Sequence, residues 1–119
     1  VFADDVTNAL AGMFPGDPPR FMARTPHGYH DKARIRDDVE AAGFSAVEIE
    51  TRAEQSRASS AYIPAVAYCQ GTLLRNEIEA RDPGKLAAAT DYVASVIANR
   101  HGSGEVAAKI QAHVIMAAI

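Results

Sequence analysis

The chain has 119 residues, 48% of them apolar and 23% charged, and a formal net charge of −3. That balance is ordinary for one globular domain and excludes a disordered, collagen-like or coiled-coil chain. An acidic total without a basic cluster argues against a nucleic-acid surface, and no apolar run approaches the ~20 residues of a membrane span.

The first residues read as a helix over 3–14. Val6, Leu10 and Phe14 recur at i, i+4 and i+8, and Asp4 and Asp5 suit the positive end of the helix dipole. Pro15, Gly16, Asp17, Pro18 and Pro19 then break it. Residues 15–30 read as a long loop, with a short extended piece at 20–23. Asp31 is placed to cap a helix that runs to about Ala42, with Ile35, Val39 and Ala42 as its apolar stripe and Gly43 as its C-cap. Residues 44–52 alternate, with Val47 and Ile49 on one face and Glu48 and Glu50 on the other, which predicts a half-buried strand. Residues 53–58 read as a polar link.

Ser59 or Ser60 can cap the next helix, which reaches about Gln70 and is expected to bury Tyr62, Ile63, Val66 and Ala67. Pro64 is tolerated there only close to the first turn. Leu74 and Ile78 predict a short helix over 73–81. Asp82 and Pro83 read as N-cap and first residue of the longest helix, 83–100, whose stripe is Leu86, Ala89, Val93, Val96 and Ile97. Gly102 and Gly104 stop it. The closing run, 109–119, places Ile110, Ala112, Val114 and Met116 on one face and Gln111, His113, Ile115 and Ala117 on the other. Both faces are largely apolar, so this strand expects cover on both sides.

The expected fold is therefore α+β: one domain over 1–119, mostly helical, with a small antiparallel sheet of two strands at about 45–52 and 109–118. Two strands alone make a poor sheet. The expectation is that a second copy extends it, through a homodimer that pairs the C-terminal strands. The single cysteine, Cys69, forms no internal disulfide and fits a reducing, cytoplasmic setting. No signal peptide opens the chain, and it starts with Val1 rather than Met, which suggests a processed chain or part of something longer.

Few short motifs carry chemistry. Pro26-His27-Gly28-Tyr29-His30 gathers two histidines and a tyrosine in one loop, which reads either as packing over a sheet edge or as a substrate pocket; a metal site lacks partners beyond Asp31. Cys69 reads as a small buried hydrophobe, with a dyad to His27 or His30 as the other reading. Gln70 and Thr72 can satisfy a turn or hold a polar ligand. Arg75 and Glu79 are an i, i+4 pair on a solvated face. Gly102-Ser103-Gly104 follows a helix rather than a strand, so it is not a dinucleotide loop.

One longer pattern is more specific. The run from Phe14 to Asp31, with Pro15-Gly16-Asp17-Pro18-Pro19 at its head and Pro26-His27-Gly28-Tyr29-His30 near its end, resembles the loop after strand five in a group of bacterial class I S-adenosylmethionine-dependent methyltransferases. Ala41-Ala42-Gly43-Phe44 followed by Val47-Glu48-Ile49-Glu50 resembles the last helix leading into strand six. Cys69-Gln70-Gly71-Thr72-Leu73-Leu74-Arg75-Asn76-Glu77-Ile78 resembles a helical insertion, and Lys109–Ala118 resembles strand seven.

The resemblance covers nearly the whole chain and implies the C-terminal half of such an enzyme. That family holds its cofactor on strands one to four, through a glycine-rich loop and an acidic residue that have no counterpart here. No cofactor is therefore expected in this chain alone, and the family's S-adenosylmethionine is expected only with the missing half. The resemblance puts the substrate side on the proline loop and the 59–81 helices, and so on His27, Tyr29, Gln70 and Arg75.

Three functions follow as expectations. The chain is a substrate-binding or assembly portion of a methyltransferase, inactive alone. Or it is a free-standing small-molecule-binding module built around His27, Tyr29, His30, Tyr62 and Tyr68. Or it is a non-catalytic partner that lends an edge strand to a separate Rossmann-type chain.

Overall fold

The computed structural model describes all 119 residues. Its elements run α1 (Phe2–Met13), α2 (Phe21–Arg24), α3 (Lys32–Ala41), β1 (Ser45–Ala58), α4 (Tyr62–Gly71), α5 (Leu74–Arg81), α6 (Leu86–His101) and β2 (Val106–Ala118). The class is α+β, with six helices and one two-stranded antiparallel sheet. No helix is long and apolar enough to cross a membrane.

Several local expectations hold for the stated reasons. Asp31 caps α3, its carboxylate accepting from the backbone N–H of Ala33 at 2.9 Å and of Arg34 at 3.4 Å. Gly43 follows with φ +96°, a conformation that costs glycine little. Leu74 and Ile78 are buried, as are Ala89, Val93 and Ile97 along α6.

Other boundaries move. The extended piece expected at 20–23 is instead the helical turn α2, closed by Arg24 N–H on the Arg20 carbonyl at 2.8 Å. The longest helix starts at Leu86, not 83, because Pro83 and Gly84 (φ +84°) form a turn and Lys85 becomes the N-cap. The polar link expected at 53–58 belongs to β1, and β2 begins at Val106. A ladder needs only main-chain groups, so a polar stretch with no apolar alternation pairs as well as any other.

The buried face of α4 is also different. Ala61, Ala65 and Cys69 point inward, while Tyr62 and Ile63 are exposed. A helix that is apolar almost all round offers periodicity no choice of face. Tertiary packing chooses the small residues, which let α4 lie close against α1 and α6.

The two strands form a long ribbon. Its register pairs Ala58 with Val106 at one end, Thr51 with His113 midway and Ser45 with Ala118 at the other, with a bulge between Ser45 and Glu48. The near end enters the helical core through Val106 and Ala108. The far end is an arm. Only α3 packs on it, through buried Ile35 and Val47 and a hydrogen bond from Arg36 Nη1 to the Val47 carbonyl at 2.5 Å. The cover expected on both faces of the closing strand is absent: Ile110, Val114 and Met116 are 41%, 44% and 54% exposed.

One polar contact holds the core's ends together. Asp5 is 2% exposed. Its Oδ2 lies 2.7 Å from His101 Nε2, and its Oδ1 lies 2.8 Å from Arg100 Nη1 without hydrogen-bond alignment. The His101 ring also packs edge-on to Phe2, with centroids 5.2 Å apart. The start of α1 is thereby fastened to the last turn of α6, where basic side chains suit the helix dipole.

Replacing Asp5 by Ala leaves the two basic groups without their buried acceptor. The expected cost is about 1–3 kcal/mol, against less than about 0.5 kcal/mol for the exposed neighbour in Asp4→Ala, both read from urea unfolding midpoints. Equal shifts for the two variants would show that the contact contributes nothing special.

Candidate functional site

The main cleft follows from the ribbon's geometry. β2 has β1 on one side only, and its other edge borders an open space of about 650 Å³. Val1 and Asp4 from α1 and Tyr68 from α4 form one wall. Pro26, His27, Tyr29, His30 and Ile35 form the other, and Lys109–His113 with Ile115 line the strand between them.

The histidine loop is held in place by several local contacts. The His27 N–H donates to the Met22 carbonyl at 2.9 Å, closing the loop onto α2. A Cβ on Gly28 would sit 2.5 Å from the Arg24 carbonyl oxygen, so the loop can follow this path only with glycine there. His113 fastens the loop to the strand. Its Nε2 is 2.9 Å from the His30 carbonyl and its Nδ1 is 2.9 Å from Thr51 Oγ1. A carbonyl can only accept, so Nε2 carries the proton and Nδ1 accepts from the Thr51 hydroxyl when the ring is neutral.

The tyrosines are held as phenols. Tyr29 donates to Asp38 Oδ2 at 2.5 Å, and this hydrogen bond to a carboxylate is the main reason its pKa lies above the ordinary value. Burial raises Tyr68, and the Asp4 charge adds to that. Neither hydroxyl is a base near neutral pH. His27 and His30 are exposed and their rings make no hydrogen bond to the protein, so both are free to meet a ligand, as are the exposed side chains of Asp4 and Lys109 in the same cleft.

A second network anchors the proline loop to α5. Arg81 Nη1 donates to the Glu77 carbonyl at 2.8 Å, its Nη2 reaches Asp17 Oδ1 at 3.2 Å, and its Nε donates to the Asp17 carbonyl. Glu77 accepts from Arg24 Nη2 at 2.6 Å and from the Arg20 N–H at 3.2 Å. Partial burial alone would raise the Glu77 carboxyl. The Arg24 contact, the Arg20 N–H and the Arg81 charge outweigh it and hold the group below the ordinary carboxylate range.

The four residues singled out from the sequence therefore separate. His27 and Tyr29 line the cleft. Gln70 does not: its Nε2 donates to Thr90 Oγ1 at 3.0 Å, between α4 and α6. Arg75 lies on the solvent face of α5, 3.7 Å from Glu79. Tyr68 and His30 join the cleft, whereas Tyr62 is on the outer face of α4. Lys109, Gln111 and His113 are cleft residues that the sequence offered only as one face of a strand, and no local pattern marks them.

Cys69 is buried in the core and does not reach His27 or His30, so the dyad reading falls. Burial pushes its thiol up to about 11, with a contact to Thr90 pulling the other way. No group of three His, Cys, Asp or Glu side chains is placed to hold a metal ion. No protein-family model matches the chain, and no curated protein matches it.

The thiol has a pH signature. The unfolded chain loses the Cys69 proton near 9.0 and the folded chain near 11, so the folded state holds the proton more tightly. Its contribution to stability is full below pH 9 and is lost as pH rises towards 11. Labelling by a disulfide reagent at pH 8 should run on the order of a hundredfold slower than for a free thiol, becoming fast only on unfolding. Rapid labelling of the native chain would contradict the buried placement.

Proposed function

We propose that the chain is the C-terminal, substrate-side portion of a class I S-adenosylmethionine-dependent methyltransferase and transfers no methyl group by itself. The observation that supports this best is the free edge of β2. Val106 and Ala108 are buried in the core that also contains Phe2, so Val1 stands at the near end of the cleft. A strand that filled the cleft and ran into Val1 would come from the Ala118 end. It would lie antiparallel to β2 and parallel to β1, with β2 between them. That is the order which the resemblance implies for strands five, seven and six. The exposed Ile110, Val114 and Met116 are then residues that await a larger sheet and its helices.

The residues present do not fit the cofactor. The resemblance places the nucleoside cofactor on a glycine-rich turn from a strand into a helix, and here β1 enters α4 through Ser59, Ser60 and Ala61, with no glycine. No chemical step is assigned to this chain. Its share is orientation: the cleft loop and α4, through Tyr68, would hold an acceptor against the reacting methyl. The lone free thiol supports a reducing, cytoplasmic setting.

A second reading is a free-standing binding module, favoured by the unengaged His27 and His30 rings in the same cleft as the apolar side chains of Ile35, Ile110 and Ile115. Supply of the missing strands by a separate Rossmann-type chain would fill the same edge in trans.

Calorimetric titration with S-adenosylmethionine and S-adenosylhomocysteine tests the first reading. No saturable heat is expected for the 119-residue chain. Saturable binding is expected once the coding sequence that precedes Val1 in frame is added. Binding by the short chain would overturn its inactivity. Absence of such a preceding segment, or no binding by the lengthened chain, would overturn the methyltransferase reading.

A further inference from the structure

We propose that the free edge of β2 is a self-association surface, through which two copies of the 119-residue chain join about a two-fold axis into a four-stranded antiparallel sheet. The two strands of the ribbon differ sharply. β1 carries Glu48, Glu50, Arg52, Glu54 and Arg57, the kind of charge that protects an exposed edge from pairing. β2 has no proline and no acidic residue, and Lys109, Gln111 and His113 are its only polar positions. Its edge is long, borders the cleft walls over Lys109–His113 and Ile115, and carries a single charge, Lys109.

The strand is also self-complementary. A two-fold axis through His113 sets Ala112 opposite Val114 of the partner subunit, Ile110 opposite Met116 of the partner subunit and Lys109 opposite Ala117 of the partner subunit. The two Lys109 side chains then lie about 26 Å apart at the ordinary rise of a strand, so like charges do not meet. Each copy has a walled end, where Val1 and Tyr68 stand beside Lys109 and Ile110, and a bare end at Met116. The antiparallel two-fold brings the bare end of each strand to the walled end of the other, and does so twice. This isologous arrangement closes and leaves no free β2 edge for further growth.

The inference concerns the chain as a free molecule and does not rest on the methyltransferase reading. A strand supplied by the chain itself, by a separate protein or by a second copy would compete for one edge.

Light scattering after size exclusion, at about 100 µM, is expected to give twice the mass of the chain, with dissociation on dilution. Val114→Lys is expected to weaken the dimer at least about tenfold by bringing charge to the interface. Should that variant fail to fold, hydrogen exchange on the unaltered chain decides. Amides of 109–117 are expected to gain protection between about 1 and 100 µM while those of β1 do not change. A monomer at 100 µM, concentration-dependent protection confined to other elements, or growth beyond two copies would each overturn the proposal. None of these outcomes bears on S-adenosylmethionine binding by the lengthened chain, so the two readings fail separately.

Discussion

The Asp5 carboxylate, buried between His101 and Arg100, is the constraint on which the rest of the molecule leans. It joins the first turn of the first long helix to the last turn of the final one. The next element after that turn is β2, which enters the core at Val106. A charge taken out of water is costly unless it is closely paired, so this contact tolerates little displacement. With α1 and α6 fastened at that point, Val1 and Asp4 stand beside the strand, and the cleft acquires one of its walls.

From there the ribbon decides the shape. A two-stranded ribbon is marginally stable in water unless a face of it is packed. Here the helices enclose only the near end, α3 covers part of the far end, and the molecule extends 50 Å along its long axis against 20 Å across its thinnest. The 47 residues between Ala58 and Val106 are mostly helix, so the strands pair although three of the eight elements lie between them. The result is an arrangement with an apolar strand at its open edge, and both proposals start from that edge.

The functional loop shows how far local reading reaches. Pro26-His27-Gly28-Tyr29-His30 is conspicuous because it concentrates titratable and aromatic groups, and the structure places it at the cleft. Gln70 and Arg75 stood out in a segment of equal interest, yet their side chains are spent on Thr90 and Glu79. His113 passed as one residue of an alternating strand. Its role in pinning the loop depends on the His30 carbonyl and Thr51, which are remote in sequence and meet only through the ribbon's register.

The sequence by itself determined the class, the order of the longer elements and most helix cores, because i, i+4 spacing, a capping Asp31 and glycines at chain reversals act within a few residues. It also determined that Val47 and the closing strand were extended. Tertiary structure alone decided which face of α4 is buried, since that helix is apolar on nearly every side and only the close approach of α1 and α6 selects Ala61, Ala65 and Cys69. It alone lengthened β1 through residues 53–58, because main-chain pairing with a remote partner leaves no mark on side-chain pattern. And it alone brought Asp5 to His101 and His113 to His30, contacts across 96 and 83 residues that no local spacing can encode.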